Sequence, residues 1–340
     1  MPIASPEEYN AMLDKAKKLN FAFPAFNVSS SSTINAVLQG LSEAESDGII
    51  QISTGGADFF AGHTIKARSS GALAFASYVT EIAKNYPVKV ALHTDHCPKN
   101  ALPDFVEPLI AASEQAVKKG KNPIFQSHMW DGSAVPLKEN LKIATELLPR
   151  LRAIHCILEI EIGVVGGEED GISHDINESL YTTLEDGIAT VEALGLGEQG
   201  RYLTALTFGN VHGVYKPGNV KLRPELLEEI QNGIQKKFNT KSRPLDLVFH
   251  GGSGSSGEEI SEAIKNGVIK MNIDTDTQYA YTRAVAGHMF ANYSGVLRVD
   301  SNMGDKKLYD PRTWGKLAEN SMAARVVQSA QQLRSVGQKL

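Results

Sequence analysis

Cysteine is scarce: Cys97 and Cys156 are the two in 340 residues. They are too few for a disulfide framework, and neither has a CxxC partner that would suggest a thiolate metal site, so both are read as reduced thiols. No apolar run is long enough to span a bilayer. The amino terminus, MPIASPEEYNAMLDKAKKLN, reads as a polar amphipathic helix at about 5–19 and lacks the apolar core of a signal peptide, so a cytoplasmic location without a membrane partner is expected. A basic tract is missing as well. With a net charge of -5 the chain offers no continuous phosphate-binding face, which disfavours nucleic acid as a partner. Repeats and low-complexity segments are absent, and a hydrophobic share of 42% against 21% charged residues is enough to bury a full core.

Short β-branched or aromatic runs alternate with longer amphipathic segments. Eight strand candidates stand out at 21–28, 48–53, 88–93, 123–128, 157–163, 202–209, 245–250 and 268–274. Helix-like stretches lie between most of them, such as 222–238, with Pro224 near its start and Leu226, Leu227, Ile230 and Ile234 on one face. Such repetition builds a parallel sheet. Periodicity alone does not separate a closed (β/α)8 TIM barrel from a doubly wound open sheet. The chemistry favours the barrel, because Asn27, Ser53, Asp95, His96, His128, Glu161, His212, His250, Asn272 and Asp274 all fall near strand ends, and a barrel delivers those ends to one mouth. One domain over 1–340 is expected, with the barrel at about 21–292 and a carboxyl-terminal helical extension at about 293–340. In that extension 311–335 reads as a helix with Trp314, Leu317, Met322 and Val326 on one face.

A histidine taken singly is more often structural than a ligand. His96, His212 and His250 each follow an apolar strand, in VALHTDH, ALTFGNVH and LDLVFH, and could converge above the barrel. Three neutral imidazoles and one open position make a catalytic zinc arrangement, and the metal then keeps its full charge as a Lewis acid for a carbonyl or enolate. His63, His155, His174 and His288 read as non-catalytic, His93 and His128 as structural or supporting. Asp95, beside His96, either exchanges a proton with a substrate hydroxyl or merely orients a histidine. Residues 164–182 form an unusually long βα connection, in which Gly163, Gly166, Gly167 and Gly171 bracket Glu168, Glu169 and Asp170. It reads equally as a mobile lid carrying a base and as an exposed acidic turn. GGSGSSG at 251–257, entering a helix near Gly257, and Asn272–Thr275 at the next strand end are two neighbouring anion sites, which suggests a phosphorylated substrate. Glu159 and Glu161 share one strand face; Lys270 is either a Schiff-base lysine or an interior lysine paired with Glu159.

The segments HTDHCPK (93–99), SHMWDGS (127–133), EIEIGVVGGEEDG (159–171), FGNVHGVYKPGNV (208–220), FHGGSGS (249–255), KMNIDTDTQ (270–278) and YDPRTW (309–314) resemble class II fructose-bisphosphate aldolases, from the first strand to the last helix. The likeness is to the longer-chain branch with GGEEDG more than to tagatose-bisphosphate relatives. It implies reversible cleavage of fructose 1,6-bisphosphate to dihydroxyacetone phosphate and glyceraldehyde 3-phosphate, a step of glycolysis and gluconeogenesis. It implies catalytic Zn2+ on His96, His212 and His250, with Asp131 and Glu161 at a second metal position. Asp95 would be the acid/base at the C4 hydroxyl and Glu169 would move the C3 proton. Ser53, Gly213, Gly251, Gly252, Ser253, Asn272, Ile273, Asp274 and Thr275, with Asn27 nearby, would hold sugar phosphate. Arg312 would reach a phosphate in the neighbouring subunit of a homodimer or homotetramer, and a monovalent cation (K+ or Na+) would sit near Val211 and Gly213. Val28 and the stretch FFAGHTIKARS depart from some relatives and leave substrate preference and thiol sensitivity open. The rivals are a tagatose-bisphosphate aldolase, a Lys270 aldolase, and a sugar-phosphate-binding barrel without turnover.

Overall fold

The structure, a computed structural model, describes residues 2–163, 166–169, 172–174, 181–212, 222–297 and 304–340. A first helix, α1 (Pro6–Leu19), precedes strand β1 (Phe23–Asn27), and the chain then alternates through α2 (Ser31–Glu43), β2 (Gly48–Ile52), α3 (Thr54–Ala61), α4 (Arg68–Ile82), β3 (Val90–Thr94), α5 (Val106–Lys118), β4 (Ser127–Trp130), α6 (Leu137–Ala153) and β5 (Ile157–Ile162). Strands β6 (Gly166–Glu169) and β7 (Ile172–His174) come next, then α7 (Leu184–Leu194), β8 (Tyr202–Leu206), β9 (Val211–His212), α8 (Glu225–Phe238), β10 (Leu247–Phe249), α9 (Gly257–Lys265), β11 (Val268–Ile273) and α10 (Thr275–Ala291). Two short helices, α11 (Tyr293–Val296) and α12 (Lys306–Tyr309), lead to α13 (Pro311–Gln332).

Eight of these strands close into a parallel barrel in the ring order β1, β2, β3, β4, β5, β8, β10, β11. The arrangement is a TIM barrel, with helices between the strands. Alternation along each strand separates two environments. Phe26, Ile50, Leu92, Leu158, Leu206 and Phe249 join the helices in the outer core, while Phe23, Ala25, Ile49, Ala91, Leu203 and Val248 face inward. The amino-terminal end of the barrel is filled by α1. A Ser5–Glu8 capping box starts that helix, and Tyr9, Met12, Leu13 and Ala16 pack against the inward residues, each large apolar side chain adding roughly 1.5–3 kcal/mol by burial. The polar residues that remain inside the barrel are therefore gathered toward the opposite mouth.

The fourth strand runs over 127–130 and not over 123–128. Ile124 N–H donates to Ser113 Oγ at 3.2 Å, which ties the approach segment to α5 before pairing begins at Ser127. His128 is consequently not a mouth residue. It pairs in register with Thr94 on the outer face, where its Nδ1 lies 2.8 Å from Thr94 Oγ1 and its ring sits 5.3 Å from that of Phe125. Burial lowers its pKa to about 3, so it stays neutral. The face expected of the last helix is also corrected. Leu317 is exposed, and the buried side of α13 is small: Ala318, Met322, Ala323, Val326 and Ala330. It crosses α2 closely because Gly40 has no Cβ; one placed there would stand 2.5 Å from Val326 Cβ.

Candidate functional site

The sequence leaves Asn27, Ser53, Asp95, His96 and His250 at or just beyond the carboxyl ends of β1, β2, β3 and β10, and Glu161 and Asn272 one residue inside β5 and β11. All are buried at the mouth. Asp95 is held by two amides: Asn27 Nδ2 donates to Oδ2 at 2.9 Å and Asn272 Nδ2 to Oδ1 at 3.0 Å. Gln51 fixes Asn27 in turn, donating to its Oδ1 at 2.5 Å. The two amide donors account for the placement of this carboxylate.

His96 takes a left-handed backbone, φ 41°, a conformation that costs a non-glycine residue of order 1–2 kcal/mol and is found where a site over-determines it. Its N–H points to Met129 Sδ at 3.3 Å, and its Nδ1 lies 2.9 Å from Asp131 Oδ2. Asp131 is braced by Ser133, whose Oγ and N–H donate at 2.6 and 3.0 Å. Despite burial, the hydrogen bond and charge of His96 hold this carboxyl below the usual range. The His96 and His250 rings approach at 4.9 Å between centroids. Glu161 stands between them, its Oε2 3.1 Å from His250 Nδ1 and 4.0 Å from His96 Nδ1. His250 Nε2 meets Glu159 Oε1 at 2.8 Å. Burial disfavours charge on His250, but the Glu159 and Glu161 carboxylates outweigh it and push its pKa up to about 9.

Below this layer Lys270 Nζ makes three contacts, to Glu159 Oε1 and Oε2 at 3.0 and 2.8 Å and to Asn272 Oδ1 at 2.7 Å. Its three donors are spent on fixed acceptors, an ion-paired interior lysine. Burial raises the Glu159 pKa, yet Lys270, His93 and His250 together hold it well below the ordinary value. His93, pushed down chiefly by burial, accepts or donates at Nδ1 to Ser127 Oγ, 2.8 Å away. One buried network thus runs from Asp131 through His96, Glu161, His250, Glu159, Lys270 and Asn272 to Asp95.

Two trios among the described residues bring ligand atoms within 4.8 Å of one another: His96, Glu161 and His250, and His93, Asp95 and Glu159. The first combines imidazole nitrogen and carboxylate oxygen donors suited to a divalent transition metal, and loading it would displace the proton that His250 shares with the carboxylates. His212 has a described backbone, and strand β9 pairs in parallel with β6, Gly167 opposite His212. The long connection thus supplies two strands, β6 and β7, of a small three-stranded sheet, β7-β6-β9, in which the strand that ends at Glu169 pairs with the backbone of His212. At its start Gly163 adopts φ 100°, and a Cβ there would lie 2.1 Å from Thr207 Oγ1. Gly213, like residues 170–171, lies outside the described residues.

The anion-binding expectation divides. The α9 amino terminus is closed by its own capping box, Ser256 with Glu259, whereas α10, starting at Thr275, has no side-chain cap. Around that start, one hollow of 190 Å3 is lined by Asn27, Ser53, Gly56 and Asp274, and another of 170 Å3 by Gly252, Ser253, Ile273, Asp276 and Arg325. Ser53 also caps α3, accepting from Gly56 N–H at 3.2 Å. Gly251, at φ 61°, makes the turn out of β10. Arg312 is not brought to the mouth within its own chain; it is exposed and folds onto Asp310, Nη2 to Oδ2 2.6 Å.

Sequence reasoning missed the supports. Asn210 donates to the His250 carbonyl at 2.9 Å and so joins the segment before His212 to the end of β10. Asn140 reaches from α6 to the Glu161 carbonyl at 2.7 Å, and Gln51 sets Asn27. An amide two residues before HG, or a glutamine in an apolar strand, were the signals available.

The family description "Fructose-bisphosphate aldolase class-II" matches residues 7–338. The chain belongs to this family. It is 65% identical to the fructose-bisphosphate aldolase of Streptomyces galbus, over the full length of both, and 59% identical to that of Mycobacterium tuberculosis, over 100% of this chain and 99% of the relative. The crystal structure of fructose-bisphosphate aldolase from Campylobacter jejuni superposes with a TM-score of 0.86 at 40% identity, covering 99% of this chain and 97% of that one. Membership makes the chain a metal-dependent aldehyde-lyase, and no helix among the described residues is long and apolar enough to cross a membrane.

Proposed function

We propose that the chain cleaves fructose 1,6-bisphosphate reversibly into dihydroxyacetone phosphate and glyceraldehyde 3-phosphate, with Zn2+ held by His96, His212 and His250. The observation that carries this reading is the convergence of His96, Glu161 and His250 beside an Asp95 carboxylate gripped by two amides. When bound, the ion supplies Lewis acidity that draws electron density from the substrate ketone oxygen. Asp131 and Glu161 steady the imidazoles and offer the donors of a second metal position.

Asp95 takes the C4 hydroxyl proton during cleavage and returns it during condensation. Asn27 and Asn272 aim its two oxygens, so little reorientation is needed at the moment of transfer. Glu169, on the strand paired with β9, moves the proton at C3. Asn27, Ser53, Gly213, Gly251, Gly252, Ser253, Asn272, Ile273, Asp274 and Thr275 bind the sugar and its phosphate, with the uncapped start of α10 favouring negative charge. Arg312 serves the neighbouring subunit's phosphate in a homodimer or homotetramer, and a monovalent cation is held by backbone near Val211 and Gly213. The enzyme acts in the cytoplasm. Lys270 is not a Schiff-base lysine, because its ammonium is committed to Glu159 and Asn272.

Exchange of the dihydroxyacetone phosphate C3 proton into deuterium oxide, followed by NMR, tests the division of labour. Glu169→Gln is expected to slow exchange and turnover together, by about 10²–10⁴, while zinc content stays normal. Asp95→Asn is expected to lose cleavage and keep more of the exchange. Exchange at the unmodified rate in Glu169→Gln would remove that residue from the chemistry.

A further inference from the structure

The helix start assigned to phosphate carries a negative charge of its own. Asp276 stands in the first turn of α10, which has no side-chain cap, and it lines the 170 Å3 hollow shared with Gly252, Ser253 and Ile273. An acidic side chain in a first turn complements the helix dipole, and in doing so it claims the same positive end that an incoming anion needs. Left uncompensated, Asp276 would oppose a phosphate dianion at this hollow.

The compensation comes from another element. Arg325, on α13, lines the same hollow, and its Nη2 donates to Asp276 Oδ2 at 2.7 Å. The guanidinium is held in place by its own helix: Nη1 donates to Ser329 Oγ at 2.7 Å and Nη2 to Gln332 Oε1 at 3.2 Å. One turn away Ser321 Oγ donates to the Ala280 carbonyl at 2.8 Å, a second polar tie that fixes α13 along α10. The paired side chains are 19% and 26% exposed, so solvent screens their charges only in part.

We propose that Arg325 is a positioning residue for the substrate phosphate: it holds the Asp276 carboxylate toward α13, cancels its charge, and so leaves the start of α10 open to a dianion. The inference rests on the sugar-phosphate reading of the mouth and assigns to that reading a residue that the catalytic groups do not reach.

Calorimetric titration of dihydroxyacetone phosphate into the zinc-loaded full chain is the test. Arg325→Met should weaken binding by about tenfold, because a dianion then meets an unpaired carboxylate in a partly screened site. Arg325→Lys, which keeps the charge, should stay within about threefold of the unmodified chain. Asp276→Asn alone should bind as tightly or more tightly, and added to Arg325→Met it should restore the affinity, a rescue that a merely structural arginine would not show. In Arg325→Met the fructose bisphosphate KM should rise more than kcat falls. The proposal is overturned by unchanged affinity in Arg325→Met, by a double variant as weak as Arg325→Met, or by weaker binding in Asp276→Asn. If Arg325→Met does not fold, Asp276→Asn and Arg325→Lys decide the matter. A different failure, no binding of dihydroxyacetone phosphate by the unmodified chain, overturns the sugar-phosphate reading itself and this inference with it.

Discussion

Replacing Lys270 by methionine keeps most of the side-chain volume and removes the one cation that touches both oxygens of Glu159. Both groups are completely buried, and the pair distances are 2.8 and 3.0 Å. His93 Nε2 stands 3.6 Å from Glu159 Oε2, too far for a hydrogen bond, and His250 reaches a single oxygen. Breaking a buried pair from one side costs about 3–5 kcal/mol, since the remaining charge loses its partner and cannot be rehydrated. Lys270→Met should therefore lower the unfolding free energy of the metal-free chain by about 3–5 kcal/mol, a large fraction of the total stability of a folded domain. Glu159→Leu should lose a similar amount, and the double variant should lose less than the sum, with a coupling of about 2–3 kcal/mol. Urea unfolding followed by circular dichroism measures all four corners of the cycle. Because Lys270 also orients Asn272, and through it Asp95, the zinc-loaded Lys270→Met enzyme should lose kcat more than KM. Additive losses, or a single-variant loss under about 1 kcal/mol, would refute the reasoning from burial and pairing.

Two further outcomes are expected. Gly40→Val should destabilise by about 1–3 kcal/mol in the same unfolding assay, because its Cβ would have to displace Val326 at 2.5 Å and the Ala323 carbonyl at 2.6 Å where α13 crosses α2. Mixing Arg312→Ala with Asp95→Ala subunits should regenerate some cleavage activity by pairing an intact half-site from each chain, and hybrids that form without gaining activity would place the arginine in its own chain's site.

The barrel was legible because each strand alternates faces and each reactive residue falls at a strand's carboxyl end, a regularity that holds at Asn27, Asp95, His96 and His250. It failed where a local contact overrode the pattern. Ile124 is apolar enough to belong to a strand, but Ser113 claims its N–H. His128 sits one register step from a mouth-facing position, and a one-residue step changes the face of the sheet. On α13 the sequence displays Leu317, yet the close crossing permitted by Gly40 selects alanines for the buried side. The candidate site was legible as residue types. Its supports were legible only in part: Asn27 and Asn272 stood out at strand ends, but that they grip Asp95, and that Asn140 and Asn210 hold the Glu161 and His250 carbonyls, depends on contacts between positions far apart in the chain. The pairing of β6 with β9, which links the GGEEDG segment to His212, is likewise invisible to any local pattern.

The central claim is that a metal at the His96, His212 and His250 mouth, and not a lysine adduct, sustains aldol cleavage. It is tested most directly by assaying fructose 1,6-bisphosphate and tagatose 1,6-bisphosphate cleavage before chelation, after chelation, and after zinc is added back. The account predicts that fructose bisphosphate is the preferred substrate, that chelation abolishes its cleavage, and that zinc restores it. Cleavage that persists in the chelated enzyme, with a borohydride-trapped adduct at Lys270, would contradict it.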